Sequence, residues 1–449
     1  MTNISKSISV ILQLVQLTFF FILVVFVFHF RIFPYADDWI YVEPLNMNAI
    51  TEFITWSFKQ HVDHRIPIQK VIQFALARYS WYDFRVLVFF NIIIALFTSL
   101  MLISIAKTYR GYQHIGDIII PMIIMSPMAA YSLWAFQFQF LSCIFFVSAN
   151  IYFACQYTKT GKTYYATLSL MQLFLCTLCG MNGAIFSTVL ISGIITYLFY
   201  ESRQGNKVDK WLITFAMLVL FENIIIWLLW EPSSASEPTT DLIGIVGIFF
   251  RMLPASMITF TSFHAIAWKI VIIIAALMLT FYGFYRSLKK IKLNFSDIIL
   301  ILSILASLAV LFSIAIARSK IQGGWSYTLP SHYGYLTIFL PIITWLIISK
   351  FFSSKISLLI SIIGIVIFTR TYLENYTFRH NMEKPDFKEQ SIINNALKEN
   401  PDIHALVDKY VLEFTWKNDV ESKQPVINGI STLRTRGFPI YFLNLANSK

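Results

Sequence analysis

Apolar residues run along this chain in long stretches separated by short polar connections. A span needs about 20 apolar residues to cross hydrocarbon. Stretches of that kind lie at 8–30, 86–106, 116–134, 138–157, 163–181, 183–200, 211–230, 264–285, 297–317, 333–350 and 355–373. They predict an all-α polytopic membrane protein of about eleven transmembrane helices. The first stretch, preceded by Lys6, exceeds a signal-peptide core and no small-residue cleavage site follows it, so it reads as a retained helix. Three polar regions interrupt the pattern: a large first loop at 31–85, a loop at 231–263 opening EPSSASEPTTD, and a tail at 374–449. The second continues into a Pro-broken, moderately apolar stretch suited to the interface. The tail reads as short amphipathic helices broken at Pro401 that dock on the bundle spanning 1–373.

Composition fixes the class more firmly. At 57% hydrophobic, 13% charged and a mean hydropathy of +0.65, the chain lies outside the soluble range. Charge then sets orientation. Lys6, Lys107, Arg110, Lys159, Lys162, Arg203, Lys207, Lys210, Arg286, Lys289, Lys290, Lys292, Lys350 and Lys355 fall in alternate connections, with few acids among them. Basic loops stay in the cytoplasm, which places the N-terminus inside and, for an odd number of spans, the C-terminus outside. The tail carries as many acids as bases, so the net charge of +11 belongs to the membrane part. It reports topology and gives no basic stripe for nucleic acid.

The first loop opens with YADDWIY, pairing Asp37 and Asp38 at the end of the first apolar stretch. A solvated loop start would explain one such acid. Trp39 and Tyr41 beside the pair offer flat faces that suit sugar rings, and equally suit an interfacial aromatic belt. FKQHVDHRIPIQK then gathers His61, Asp63, His64, Arg65 and Lys70. In a helix or tight turn His61, His64 and Arg65 share a face, as an anion site or as a salt-bridge network. H-x-x-H fixes no third ligand, so a divalent cation lacks support and no cofactor is implied. A later connection, ARSKIQGGWSYTLPSHYGY, sets Arg318 and Lys320 against the positive-inside trend, beside Trp325, His332 and Tyr333. Such cations suit a phosphate at headgroup depth, or simply snorkel. Glu222 is an acid inside a span, either functional or paired with Asn223 or a neighbouring helix. Asp117 reads as a solvated helix cap, and Cys143, Cys155, Cys176 and Cys179 as small hydrophobes.

YADDW, HVDHR, SLWAFQFQF and SHY together give the membrane portion a resemblance to the GT-C glycosyltransferases. Within that superfamily it is most similar to the bacterial, often prophage-borne, O-antigen glucosyltransferases of serotype conversion. The resemblance implies a hexosyltransferase in the bacterial inner membrane. Its donor would be a polyprenyl-phosphate-linked sugar used on the periplasmic face, and its acceptor a lipid-linked surface polysaccharide. It implies Asp37 or Asp38 as general base, with His64, Arg65, Arg318 and Lys320 holding the departing phosphate. One departure stands: the second external loop, MSPMAAYSLWAFQF, lacks the acid common in GT-C enzymes. A lipid-linked glycan flippase, or a non-catalytic assembly protein, is the alternative. A transporter concentrates polar groups near the midplane, whereas here they gather at one boundary.

Overall fold

A helix is the arrangement that satisfies backbone N–H and C=O groups without water, and the long apolar stretches take it. The computed structural model describes residues 3–28, 32–127, 129, 134–205, 208–232, 241–255, 273–282, 285, 294–318, 331–398, 402–415 and 418–438. In chain order the helices are α1 (Asn3–Phe28), α2 (Ile50–Phe58), α3 (Pro67–Tyr79), α4 (Phe84–Arg110), α5 (Ile119–Ile124) and α6 (Phe138–Thr160). Next come α7 (Thr163–Thr177), α8 (Met181–Arg203), α9 (Lys210–Leu228), α10 (Leu242–Ala255), α11 (Ile273–Tyr282) and α12 (Phe295–Arg318). The last are α13 (Ser331–Tyr335), α14 (Phe339–Phe351), α15 (Ser354–Lys398), α16 (Ile403–Lys409), α17 (Val411–Phe414) and α18 (Val420–Thr435). Among the described residues there is no strand.

Among the described residues, eight helical segments are long and apolar enough to cross a membrane, one of them, Tyr333–Phe351, running through α13 and α14. The remaining expected spans are shorter in the described structure. The stretch at 116–134 forms only Ile115–Ile124, ending at Met125 just before Pro127. The stretch at 163–181 stops at Thr177, because a turn leads into Gly180 in the left-handed region (φ +91°). Of 264–285, the described helix is Ile273–Tyr282. The final stretch runs well past 373, continuing as one helix to Lys398.

Polar side chains inside the apolar segments pair across helices, where no water is available to satisfy them. Asn150 on α6 donates to the carbonyl and hydroxyl of Ser169 on α7 at 2.9 and 2.7 Å. Gln16 on α1 donates to Ser99 on α4 at 3.1 Å. Asn223 on α9 spends its amide on Ser187 and Val219 and accepts from Thr188. It therefore does not pair with Glu222, whose two carboxylate oxygens are buried with no partner among the described residues. The four cysteines are free and buried.

The helix ends meet in two groups. At one end Tyr109 donates to Asp297 at 2.8 Å, Lys350 lies 3.2 Å from the same carboxylate, and Ser296 N–H reaches Thr158. Here Asp117 is no solvated cap. It is fully buried against Arg110 and accepts from Trp345, because the turn at Ile115–Ile118 folds it under α14. At the other end, hereafter the loop end, the first loop lies across the ends of α6, α8, α9 and α12.

The tail docks at the loop end. Trp39 donates its indole N–H to the Phe414 carbonyl at 3.2 Å, and Asn46 donates to Thr432 at 2.9 Å. Gly429 lies against the Trp39 ring, so closely that a Cβ there would enter it. Gly429→Ala is therefore expected to cost about 1–3 kcal/mol through overpacking. It should expose residues 402–438 to limited proteolysis, and an unchanged cleavage pattern would contradict this docking.

Candidate active site

The two adjacent aspartates are parted by local geometry. Ala36–Tyr41 is a 3-10 turn, in which successive side chains point about 120° apart. Asp38 turns inward and is 1% exposed. Its carboxylate accepts from the backbone N–H of Phe136 at 2.7 Å and of Tyr35 at 3.4 Å, joining the first loop to the start of α6. Burial pushes its carboxyl well above the usual range, against the lowering effect of those N–H groups. Asp37 turns outward and remains partly exposed, its Oδ1 lying 3.2 Å from His61 Nε2.

Backbone strain brackets this pair. Ala36, just before Asp37, has φ +52°, and Val62, just after His61, has φ +50°. A β-branched residue in that region is an outlier, and such strain concentrates at functional sites. Val62 and Asp63 form the tip of a tight turn closed by His61 and His64, whose backbones exchange hydrogen bonds of 2.8 and 2.9 Å. The HVDHR segment is thus a hairpin-like turn rather than a helix, with His61 facing Asp37 and His64 facing α8.

His64 accepts from the Met181 N–H through Nδ1 at 3.4 Å, which leaves Nε2 carrying the proton. Burial lowers its pKa from 6.5 to about 4, while the charge of Asp63 acts to raise it. The imidazole is therefore neutral near pH 7. Because the folded pKa lies below the unfolded one, stability is fully present above about pH 6.5. It declines as pH falls toward 4, since only the unfolded chain binds the proton. A thermal unfolding midpoint that drops over that window in wild type, and drops less in His64→Gln, is the expected result.

Asp63 accepts from Arg318 at 3.3 Å, and Arg318 lies over the Tyr333 ring at 6.0 Å. These residues line a cavity of about 240 Å³ with His64, Asn182 and Trp227. The four-residue turn thereby connects Asp37 to the cavity. Two of its residues, Asp63 and His64, form part of the cavity wall.

Other expected site residues lie elsewhere. Trp39 and Tyr41 present no free faces: they are 3% and 0% exposed, Trp39 covered by the tail and Tyr41 accepting from Gln69 in the core. Sugar stacking on these rings is corrected to packing. Arg65 spends its guanidinium on the carbonyls of Phe58 (2.9 Å) and Leu229 (2.6 Å), tying the loop to the end of α9. Lys70 likewise donates to Trp56 and Lys59, and burial lowers its pKa to about 8. Lys320 and Trp325 lie outside the described residues, as does the side chain of His332. No three His, Cys, Asp or Glu side chains gather as a metal site among the described residues.

The sequence pattern singled out His61 but not its pairing with Asp37, and it did not single out Asn182 in the cavity. The signal for Asn182 was faint, an amide just before Gly183 at the start of an apolar stretch. No protein-family model matches the chain, and no curated protein matches it in sequence.

Proposed function

We propose that the chain is a multi-pass glycosyltransferase of the GT-C type. In this reading it uses a polyprenyl-phosphate-linked hexose on the periplasmic side of a bacterial inner membrane, with the N-terminus cytoplasmic, the C-terminus periplasmic, and a lipid-linked surface polysaccharide as acceptor. The observation that carries it is the arrangement at the loop end. A partly exposed carboxylate held by a histidine sits one short turn away from a cavity containing an arginine.

Asp37 takes the proton of the acceptor hydroxyl as that oxygen bonds to the anomeric carbon of the donor. The bond from that carbon to the phosphate oxygen breaks, and its electron pair leaves with the phosphate. A sugar hydroxyl is a weak acid, so the proton leaves only as the new bond forms, and positioning matters more than a shifted pKa. His61 orients the carboxylate. His64 Nε2–H, Arg318 and Lys320 offset the charge growing on the phosphate. Asp38, buried and bonded to Phe136, holds the loop against α6.

A flippase for a lipid-linked glycan is the second reading, favoured by Glu222, whose carboxylate oxygens lack described partners inside a span. The test of the first is the mass of surface polysaccharide in cells with and without the protein. A hexose increment lost with the protein supports transfer, and identical polysaccharide contradicts it.

A further inference from the structure

The inward face of α15 is polar: Ser357, Ser361 and Arg379 are buried, and Asn375 donates to Ser126 at 2.9 Å. The outward face is apolar, with Leu359, Ile363, Val366 and Leu373 exposed, as suits contact with acyl chains. An ion pair interrupts that face. Arg370 donates through Nε to Glu374 Oε1 at 3.0 Å, with the two side chains 83% and 40% exposed. The bond uses Nε alone, so both terminal nitrogens of Arg370 and the second oxygen of Glu374 lack a partner among the described residues. Charge beside acyl chains is costly, and an exposed i, i+4 pair recovers little of that cost by itself.

Two neighbours fix the depth of the pair. Lys355 marks the start of α15 at one boundary, and Phe26, in the last turn of α1, lies 5.6 Å from the Tyr376 ring near the other. At a rise of 1.5 Å per residue, Arg370 and Glu374 lie about 22 and 28 Å from Lys355, close to the roughly 30 Å width of hydrocarbon. The pair therefore sits at headgroup level, just inside the loop end. A groove of about 830 Å³ opens on the same face. Ile365 and Val366 lie deepest in it, Arg370 and Glu374 at the boundary, and Thr377 and Asn381 furthest out.

We propose that this groove binds a phospholipid whose headgroup carries both a phosphate and a primary ammonium. The two remaining guanidinium nitrogens present a fork to the phosphate oxygens. Glu374, one helical turn further out, accepts from the ammonium, and the acyl chains run inward over Val366 and Leu359. The order of charge matches the ligand, because such a phosphate lies nearer the acyl chains than its ammonium does. A phosphatidylglycerol headgroup supplies the phosphate alone. It sets a hydroxyl against the carboxylate and leaves a net negative charge that Glu374 repels.

Titration of the full chain in detergent with short-chain phosphatidylethanolamine and phosphatidylglycerol tests this. Phosphatidylethanolamine should bind about tenfold more tightly, the difference expected of one bond to a charged group. Glu374→Gln should remove that preference. Exchanging the pair, Arg370→Glu with Glu374→Arg, keeps an ion pair on the helix but reverses the order of charge. The exchanged protein should unfold at the wild-type temperature and bind phosphatidylethanolamine about tenfold more weakly. Equal binding of the two lipids by wild type overturns the proposal, as does undiminished phosphatidylethanolamine binding in the exchanged protein. If the exchanged protein does not fold, a preference that survives in Glu374→Gln overturns it. Wild-type protein that binds neither lipid, and forms a dimer that Arg370→Gln dissociates, overturns it in favour of a second copy on this face. The titration needs no sugar transfer, so its failure leaves the proposed function standing.

Discussion

Asp37→Asn is expected to lower hexose transfer by about 10²- to 10⁴-fold, the contribution of a positioned general base, without lowering the amount of folded protein. The side chain is 24% exposed and its hydrogen-bond partner is His61, so the isosteric amide removes basicity while keeping the shape. Asp38→Ala should do the opposite. It strips a buried acceptor from the Phe136 N–H and costs about 1–3 kcal/mol of stability, while transfer per folded molecule stays within a few-fold. Transfer rates normalised to folded protein, read beside thermal unfolding, separate the two. If Asp38→Ala abolished transfer at wild-type stability and Asp37→Asn did not, the roles assigned here would be reversed.

The largest effect on stability is expected at the opposite end of the bundle. Arg110 and Asp117 form an ion pair at 2.5 Å with both side chains at 0% exposure. The second aspartate oxygen accepts from the Trp345 indole at 3.0 Å, and Arg110 also donates to Ser349 at 2.8 Å. This cluster joins α4, the turn before α5, and α14. Asp117→Ala leaves a buried guanidinium without its counter-charge, at a cost of about 3–5 kcal/mol. Replacing both partners with apolar residues, Arg110→Met with Asp117→Leu, should recover most of that loss, because no buried charge remains. Detergent-titrated unfolding measures both variants. A single substitution costing less than about 1 kcal/mol would mean that the pair is hydrated rather than sealed.

The hydrophobic pattern was sufficient for the all-α class and for the eight long helices, since a continuous apolar run dictates a helix regardless of its neighbours. It overextended the segments at 116–134 and 163–181, where Pro127 and the turn into Gly180 outweigh apolar character. Asp37 and Asp38 were visible as a pair, but their separation was not. It depends on a 3-10 turn and on the Phe136 N–H, which arrives from nearly a hundred residues away. The aromatic neighbours misled for a similar reason. Trp39 looks like an interface residue until Gly429 and Phe414 cover it. Asp117 reads as solvated for want of any local sign of Trp345, and Asn182 gains meaning only beside Arg318 in the folded cavity.

The central claim is that the loop end cleaves a sugar from a lipid phosphate. The direct measurement uses the full chain in proteoliposomes, with a polyprenyl-phosphate hexose labelled separately in sugar and lipid, and lipid-linked polysaccharide as acceptor. The sugar label should move to polysaccharide while the lipid label stays on free polyprenyl phosphate, and Asp37→Asn should abolish that separation. Both labels reaching the other leaflet together, at a rate unaffected by Asp37→Asn, would contradict the account and identify a transporter.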